Sequence, residues 1–179
     1  MLYVSEVHTT APGQFHTQLQ RQTYKTLAEL RIPFMRVDTD EAITMGDCAA
    51  IEERLGMRMV KTLFLCNRQQ TEFYLFIMAG DKPFRAKEFS AALGVARVSF
   101  APAERMEAML GTKIGAATVF SCLLDRENRL RIVFDRDVAT AEWYGCSDGT
   151  TTGYLKLRTD DVCRVFLPFT NHALSVIEV

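Results

Sequence analysis

The chain has 179 residues, 48% of them hydrophobic, and its 21 basic and 22 acidic residues nearly cancel to a formal charge of −1. This length fits one domain with a single large core. The balanced charge argues against nucleic-acid binding through a bulk cationic surface, although it allows a local basic patch. The first residues lack the features of a signal peptide, and no apolar stretch approaches the roughly 18–20 residues of a membrane helix. We predict one cytoplasmic domain over 1–179, with residues 1–19 as an N-terminal extension if they do not pack on it.

The cysteines and histidines predict neither a disulfide framework nor a metal centre. The cysteines are odd in number, with 5 in the chain, and none form a C-x-x-C pair, which indicates reduced thiols. His8, His16 and His172 have no acidic residues near them at metal-ligand spacing. Because these histidines lie towards the ends of the chain, we also expect no Ser/His/Asp constellation. The sequence predicts no cofactor, no metal and no membrane partner.

The first third of the chain predicts two helices separated by a strand. Apolar residues recur at loose helical spacing between Phe15 and Leu30, and Pro33 follows closely, as expected just past a helix end. Residues 33–38 (PFMRVD) alternate like a strand. Residues 44–56 (TMGDCAAIEERLG) then indicate a helix that closes on its final glycine.

The middle of the chain predicts a strand pair followed by two helices with a short strand between them. The expected strands span 59–66, 72–79 and 97–101, and the expected helices span 85–94 and 102–111. A polar turn, NRQQT, joins the first two strands, which is a hairpin signal with a longer loop. Each helix ends in a glycine, as is common at helix C-termini. Lys61 stands at the start of the first strand.

The last third predicts more strands and one longer helix. We expect a hairpin of strands at 117–125 and 129–135, one or two helical turns at 138–145, a strand at 151–158, a helix from 159 to Pro168 and a final strand at 172–179. The short connections between strands favour an α+β fold with a largely antiparallel or mixed sheet. The chain has no G-x-G-x-x-G after a strand and no G-x-x-x-x-G-K-[ST], so dinucleotide and P-loop functions lack their phosphate cradle.

Two loops contain residue types that favour a binding site, and each also has an ordinary interpretation. In residues 110–121 the small residues at 115–117 would let backbone N–H groups approach a carbonyl or an oxyanion, although a plain helix-to-strand connection has the same composition. Residues 143–157 crowd hydroxyl and carboxyl side chains into one loop, a composition typical of a turn. Taken alone, Lys61 is most simply a solvated charge at a strand end.

Four segments, in order, resemble the YbaK/ProX superfamily of aminoacyl-tRNA editing domains. They are VKTLFL with FYLFIM (60–65 and 73–78), the run from KEFSAALG to GAATVF (87–120), LLDRENRLRIVFDRDV (123–138) and TTTGYLKLRTDDVCRVF (150–166). The resemblance covers about residues 20–179 and is closest to the free-standing ProX (PrdX-type) prolyl-tRNA editing proteins. That group also includes the insertion editing domain of bacterial prolyl-tRNA synthetases. The resemblance implies a mixed, barrel-like β-sheet surrounded by helices.

The same resemblance implies an enzyme that hydrolyses the ester of a wrongly charged tRNA at its acceptor 3′ end. By resemblance Lys61 is the active-site lysine, and the loop that opens at Gly115 surrounds the aminoacyl carbonyl and the terminal adenosine. The expected substrate-binding residues are Gly115, Ala116, Ala117, Thr118, Val119, Ser147 and Thr152. In this superfamily the adenosine 2′-hydroxyl assists hydrolysis, so the resemblance requires no protein nucleophile.

The chain departs from the family pattern at two places. Val119 stands where the glycine loop has a proline, and Cys146, Ser147 and Asp148 replace a segment that commonly contains histidine, whereas Thr152 keeps the pattern. The main hypothesis is deacylation of alanyl-tRNA(Pro). The alternatives are a non-catalytic paralogue that binds tRNA or the aminoacyl group, and a deacylase for another mischarged tRNA such as seryl- or threonyl-tRNA. A homodimer is left open.

Position along the chain also suggests which residues shape the pocket and face the tRNA backbone. The expected pocket-lining residues are Phe34, Met45, Val119 and Phe120. The expected phosphate-facing strip consists of Arg54, Arg58, Lys82, Arg85, Lys87 and Lys113, with a solvated scatter of charge as the alternative. Single-stranded RNA ends are recognised by shape, stacking and a few contacts, so a neutral chain is compatible with a tRNA partner.

Overall fold

A computed structural model describes residues 1–42, 44 and 46–179 and has the mixed α+β architecture predicted from the sequence. The strands are β1 (Met35–Asp38), β2 (Val60–Asn67), β3 (Phe73–Ala79), β4 (Val98–Phe100), β5 (Leu130–Asp135), β6 (Trp143–Ser147), β7 (Gly153–Arg158) and β8 (Leu174–Ile177). They form a five-stranded sheet of order β4-β2-β3-β5-β8 and a three-stranded sheet of order β1-β7-β6. In the described part of the chain, no helix is long and apolar enough to cross a membrane.

Helices pack around these sheets. They are α1 (Gln18–Glu29), α2 (Cys48–Leu55), α3 (Ala86–Leu93), α4 (Ala103–Arg105), α5 (Arg136–Ala139), α6 (Thr159–Asp161) and α7 (Leu167–Phe169). Helix α4 continues into a π-helical turn at Met106–Leu110, and α6 continues into another at Val162–Phe166. The turn after α4 ends at Gly111, which has a φ of 65°, a left-handed conformation that suits glycine.

The larger sheet is mixed, and its two halves differ in direction. Strand β2 pairs antiparallel with β3, with Lys61 opposite Met78, and it also pairs antiparallel with the short β4. Strands β3, β5 and β8 run parallel to one another. An isolated parallel bridge between Met59 and Gly145 links the start of β2 to the three-stranded sheet. The two sheets therefore meet at the strand that carries Lys61.

Alternating side chains of β2 contribute to two separate parts of the core. Phe64 and Cys66 belong to the main apolar cluster, together with side chains from α1, β5 and β7. Leu65, which points to the opposite face, belongs to a second cluster that includes Phe89 of α3. Both faces of the larger sheet are thus covered, which explains why all seven residues of β3 are buried.

The predicted hairpin at 117–135 is wrong in its first half. Residues Val119–Leu123 form a 3₁₀ helix instead of a strand, and Thr118 caps this helix by accepting a hydrogen bond from the Phe120 N–H. The side chains from Val119 to Cys122 are all buried, so there is no alternation that could distinguish a strand from a buried helical turn. The predicted helical turns at 138–145 are also partly wrong, because β6 already begins at Trp143.

The first residues lie along β1 of the three-stranded sheet. The Ser5 N–H donates to the Asp38 carbonyl at 2.8 Å, and His8 forms an antiparallel bridge with Arg36. The guanidinium of Arg54 donates to the Ser5 carbonyl at 2.8 Å, which connects the same segment to α2. Backbone groups that would otherwise be left at a sheet edge are thereby paired.

Candidate active site

A cavity of about 510 Å³ runs along an uncovered part of β2, and we call it the Lys61 cavity. Lys61 and Thr62 line it from the strand, Gly115 and Ala117 from the glycine loop, and Ser147 from the end of β6. These residues are far apart in the sequence and come from both sheets and a loop. The cavity is therefore a product of how the two sheets meet.

The cavity follows an edge of β2 that its neighbours leave open. Strand β3 pairs with β2 from Val60 to Cys66, whereas β4 reaches only Leu65–Asn67. Beyond β4, the Ala101 N–H donates to the Phe64 carbonyl at 2.9 Å. Among the described residues, no strand pairs with β2 on this side between the Met59 bridge and Phe64.

The pairing pattern of β2 directs the backbone of Thr62 towards the cavity. Met59 accepts from the Gly80 N–H and Asn67 donates to the Glu72 carbonyl, so odd-numbered residues of β2 bond to β3. In an antiparallel ladder the intervening residues direct their N–H and C=O groups to the other side. Thr62 thus presents one donor and one acceptor to a ligand in the cavity.

Lys61 is held by the turn that follows β3. Its ammonium group donates to the carbonyl oxygen of Lys82, and an ammonium has three N–H donors, so two remain for a ligand. Burial lowers the pKa of Lys61, and the nearby charge of Asp81 acts in the opposite direction. The carboxylate of Asp81 is itself in contact with Arg58. The positive charge of Lys61 is therefore partly desolvated and bonded to a neutral carbonyl group.

The glycine loop is fixed in place from both ends. Gly115 has a φ of 89°, which residues with a side chain adopt only at a cost. The Ala116 N–H donates to the Lys113 carbonyl at 3.1 Å, which closes a turn. The Thr118 hydroxyl donates to the Ser147 carbonyl at 2.8 Å and so ties the loop to the end of β6. Its backbone can therefore be presented to a ligand without first becoming ordered.

The structure separates the predicted site residues into three groups. Lys61, Gly115, Ala117 and Ser147 line the Lys61 cavity. Ala116 and Thr152 line a different cavity, which is described below. Thr118 and Val119 are fully buried and line neither of the two cavities.

The other pocket residues suggested by the sequence do not lie on the Lys61 cavity either. Phe120 is fully buried and packs against Phe166, and Phe34 packs against Tyr24 of α1. Neither phenylalanine lines the cavity. Met45 lies outside the described residues. The prediction was wrong for Phe34 and Phe120 because chain position alone does not indicate which face of a loop points inward.

Among the described residues that line the Lys61 cavity, the serine and the two cysteines are poor nucleophiles. The Ser147 hydroxyl donates to the Thr150 carbonyl at 2.6 Å and accepts from the Gly149 N–H at 3.0 Å, so it is committed to its own turn. Burial raises the pKa of the Cys146 thiol and that of the Cys48 thiol, which also line the cavity. Both thiols therefore stay protonated near neutral pH and are poor nucleophiles.

A polar cavity of about 630 Å³ lies on the other side of the glycine loop. Its lining includes Gln20, Thr112, Lys113 and residues 149–152. The Thr112 hydroxyl is buried and has no hydrogen-bond partner in the described part of the chain. The glycine loop is therefore a wall with a different cavity on each side.

Asp148 organises the turn between these cavities and has a structural role. It is 1% exposed, and its carboxylate accepts hydrogen bonds from Gln20 at 2.9 Å, Tyr24 at 2.8 Å and the Thr150 hydroxyl at 2.7 Å. A side chain at Gly153 would meet the Asp148 carboxylate at 2.2 Å. The sequence identified this segment as a turn, but it gave no sign that α1 would supply the partners.

The expectation of no Ser/His/Asp constellation did not anticipate that His172 contacts an aspartate and a threonine. His172 Nε2 lies 2.8 Å from Asp125 Oδ2, and His172 Nδ1 lies 2.9 Å from the Thr170 hydroxyl. We call these three residues the His172 cluster. Asp125 also accepts from the N–H groups of Arg129 at 2.9 Å and Leu130 at 2.8 Å. His172 and Asp125 are only 4% and 8% exposed, so the cluster fastens the C-terminal turn to the start of β5.

Three of the six residues of the expected phosphate-facing strip form ion pairs. Arg58 contacts Asp81, Lys82 lies 2.7 Å from Asp135, and Arg85 lies 3.2 Å from Glu88. Lys87 and Lys113 are exposed. No group of three or more His, Cys, Asp and Glu side chains within 1–42, 44 and 46–179 could hold a metal ion.

Comparisons with known proteins identify the family and the fold. The family model for the aminoacyl-tRNA editing domain matches residues 39–165. A prolyl-tRNA editing protein, ProX, from Acetoanaerobium sticklandii is 27% identical over 112 residues, which is 63% of this chain and 68% of that protein. A solved structure of a protein proposed to be a trans-editing enzyme for prolyl-tRNA synthetase has a TM-score of 0.67 at 15% identity, covering 92% of this chain and 99% of that one. A hypothetical protein of known structure also has a TM-score of 0.67, at 16% identity, covering 88% and 98% of the two chains.

Proposed function

The chain belongs to the family of aminoacyl-tRNA editing domains, and on that premise we propose that it is a trans-editing deacylase that hydrolyses alanyl-tRNA(Pro). The observation that carries the proposal is that Lys61 and the glycine loop face one cavity. The similarity to a prolyl-tRNA editing protein supports the choice of tRNA. An enzyme of this kind corrects the product of a synthetase whose own pocket cannot reject a smaller amino acid strongly enough.

The reaction requires a site that binds the 3′ end of the charged tRNA, polarises the ester carbonyl and admits water. An aminoacyl ester is already activated, so a modest catalyst suffices. In the proposed complex, N–H groups of the glycine loop stabilise the negative charge that develops on the carbonyl oxygen during attack. Water then adds to the carbonyl carbon, the ester C–O bond breaks, and the ribose oxygen leaves with a proton. This scheme needs no protein nucleophile, in keeping with the committed Ser147 hydroxyl and the protonated thiols.

Lys61 contributes a positive charge at the edge of the cavity. Two of its three N–H donors are available beside the bond to the Lys82 carbonyl. In the proposed complex these donors bind an oxygen of the ester or of the adjoining ribose phosphate, as a point charge. Partial desolvation strengthens such a contact because water competes less for the ammonium group.

The open edge of β2 provides the remaining contacts with the amino acid. The Thr62 carbonyl can accept a hydrogen bond from the α-ammonium group that every aminoacyl ester carries. The methyl group of alanine would lie against the small side chain of Ala117 and the backbone of Gly115. Proline has two N–H donors on its protonated ring nitrogen in place of the three of an α-ammonium group, and its ring is bulkier than a methyl group, so it fits this arrangement less well.

Replacement of the family proline by Val119 motivates the alternative that the chain binds aminoacyl-tRNA without hydrolysing it. The structure weakens this argument. Val119 is the first residue of the 3₁₀ helix, directly after the Thr118 cap. The first helical position is where proline is favoured, because its missing N–H would have had no intrahelical partner. Valine can therefore occupy the position without changing the path of the loop.

The deciding experiment measures hydrolysis of a panel of labelled mischarged tRNAs by the purified protein. We expect alanyl-tRNA(Pro) to be hydrolysed fastest and the Lys61→Ala variant to lose roughly 10²- to 10³-fold in rate, the usual cost of one electrostatic contact to the transition state. Lys25→Ala, which changes a lysine on α1 whose side chain is 73% exposed, is the matched control.

The panel also separates the alternatives. Preferential hydrolysis of seryl- or threonyl-tRNA would replace the proposed substrate and keep the enzyme class. Absence of hydrolysis above buffer for every substrate would leave the binding paralogue. Equal rates for the parent protein and Lys61→Ala would remove the role proposed for this lysine.

A further inference from the structure

Two large apolar side chains stand exposed at the rim of the Lys61 cavity. Phe100 is 62% exposed and Ile114 is 68% exposed, and both line the cavity. Phe100 ends β4, whereas Ile114 directly precedes Gly115, where the glycine loop opens. Exposed apolar groups gathered at the mouth of a cavity indicate a surface that is covered when a ligand binds. The proposed chemistry at the ester does not account for these two exposed side chains.

The ring of Phe100 is held in a fixed position. Its residue pairs with Leu65 in the ladder between β4 and β2, and the following Ala101 N–H bonds to the Phe64 carbonyl. The ring meets Phe84 at a centroid distance of 5.6 Å and an interplanar angle of 65°. One side of the ring is thus supported, while most of its surface remains open to solvent. A rigid aromatic ring loses little conformational freedom when a flat ligand stacks on it.

The covalent structure of the substrate places a flat ligand at this rim. In an aminoacyl-tRNA the amino acid is esterified to the ribose of the terminal adenosine, so the adenine base lies one sugar away from the ester. When the aminoacyl group enters the Lys61 cavity, the base must remain near its mouth. Unpaired bases at RNA ends are commonly recognised by stacking on aromatic side chains.

We propose that Phe100 is the stacking surface for the terminal adenine and that Ile114 provides a second apolar contact. The inference rests on the proposed function, because it requires the aminoacyl ester to occupy the Lys61 cavity. It adds a subsite for a purine base to a site otherwise defined by the amino acid and the ester. The contact supplies affinity without charge, which suits a chain with a formal net charge of −1.

The test compares Phe100→Ala with Phe169→Ala, which removes an exposed phenylalanine from α7. We expect Phe100→Ala to lower kcat/KM for the charged tRNA by roughly 5- to 150-fold, mainly through KM, because stacking on one base has about this value. Phe169→Ala should leave it unchanged. Phe100→Trp should restore the rate and Phe100→Leu should not, because leucine is apolar but cannot stack.

A charged tRNA that lacks only its terminal base tests the contact directly. The parent protein should lose as much activity on this abasic substrate as Phe100→Ala loses on the normal one, and Phe100→Ala should lose nothing further on it. Such non-additivity is expected only if the ring and the base interact. Equal rates for Phe100→Ala and Phe169→Ala, or fully additive losses, would overturn the proposal.

A measurement of ligand binding to the Phe100→Trp variant distinguishes failure of this inference from failure of the proposed function. The parent protein contains 1 tryptophan, so Phe100→Trp adds one reporter against a known background. The probe is adenosine that carries alanine through an amide bond, which cannot be hydrolysed as an ester. Quenching of the added tryptophan supports the subsite even if no deacylation is found. Absence of quenching at saturating probe, while the protein deacylates tRNA, overturns the subsite alone.

Discussion

The Lys61 cavity and the His172 cluster differ in both residue type and solvent access. The cluster has the residue types of a catalytic site but is buried, whereas the cavity is open but contains an ordinary lysine. The His172 cluster has the acid, imidazole and hydroxyl of a catalytic triad, but Asp125 already accepts three hydrogen bonds and both it and His172 are buried. Lys61 is an unremarkable residue at a strand start, yet it lies on a cavity and keeps two free donors. Residue type alone would therefore favour the His172 cluster. Access and uncommitted hydrogen-bonding capacity favour the Lys61 cavity, which is the site we propose.

The largest effect should come from disrupting the His172 cluster. Asp125→Asn replaces an acceptor by an NH₂ donor that must face a backbone N–H or the imidazole N–H, so we expect a loss of about 2–3 kcal/mol in the free energy of unfolding. Deacylation per folded molecule should not change. Urea denaturation and rates normalised to the folded fraction measure the two quantities.

The matched control for that variant is Asp137→Asn, because Asp137 is 58% exposed in its ion pair with Lys82. Its unfolding free energy should change by less than about 0.5 kcal/mol. A loss of deacylation in fully folded Asp125→Asn, with stability unchanged, would reverse the comparison and make the His172 cluster the reactive one.

A smaller effect is expected in the pH dependence of deacylation, through the pKa of Lys61. Because burial lowers its pKa, Lys61 loses its proton at a lower pH than the ordinary value of 10.5. Enzyme-dependent deacylation should therefore decline as the pH rises towards 10.5, after subtraction of spontaneous ester hydrolysis. Lys61→Arg keeps its charge in this range and should remove the decline.

The same pKa shift has a defined effect on stability. The folded state binds the Lys61 proton less well than the unfolded state, so unfolding free energy gains a contribution as the pH rises between the folded pKa and 10.5. The contribution is absent at neutral pH, where both states are protonated. If the unfolding free energy of Lys61→Arg depends on pH in the same way as that of the parent protein, a group other than Lys61 titrates.

The smallest effect concerns the wall between the two cavities. Val119→Pro restores the family residue at the first position of the 3₁₀ helix, where no intrahelical N–H bond is lost. We expect the unfolding free energy to change by no more than about 1 kcal/mol, because the restricted φ stabilises and the smaller buried side chain destabilises. The kcat/KM should stay within about threefold. A large loss of activity would show that the loop path differs from the one that proline permits.

The sequence predicted the parts of the fold that follow from local rules. Alternation and turn residues gave β2, β3 and β7, and glycines at 56, 94 and 111 marked helix ends that the structure places in the left-handed region. The 3₁₀ helix at 119–123 could not be predicted, because its first four side chains are all buried and show no hydrophobic period. Local sequence pattern predicts where a helix ends more readily than whether a fully buried segment is a strand or a helix.

The site was only partly accessible to the same reasoning. Resemblance drew attention to Lys61 and Gly115, and the structure places both on one cavity. The opposite placement of neighbouring loop residues, with Ala117 on one cavity and Ala116 on the other, depends on the turn at Gly115 and has no sequence signal. The His172 cluster was missed because its aspartate and histidine are 47 residues apart.

The strand pairing also governs how this chain can fold during synthesis. Strand β1 pairs with β7, and the larger sheet is closed at one edge by β8, which follows all the other strands in the sequence. Neither sheet can be completed before the last quarter of the chain has left the ribosome. Until then β1 and β5 expose unpaired edges, which are the parts of a nascent β-protein most prone to association. The Lys61 cavity, which we propose as the editing site, lies where the two sheets meet and is consequently among the last features of the molecule to form.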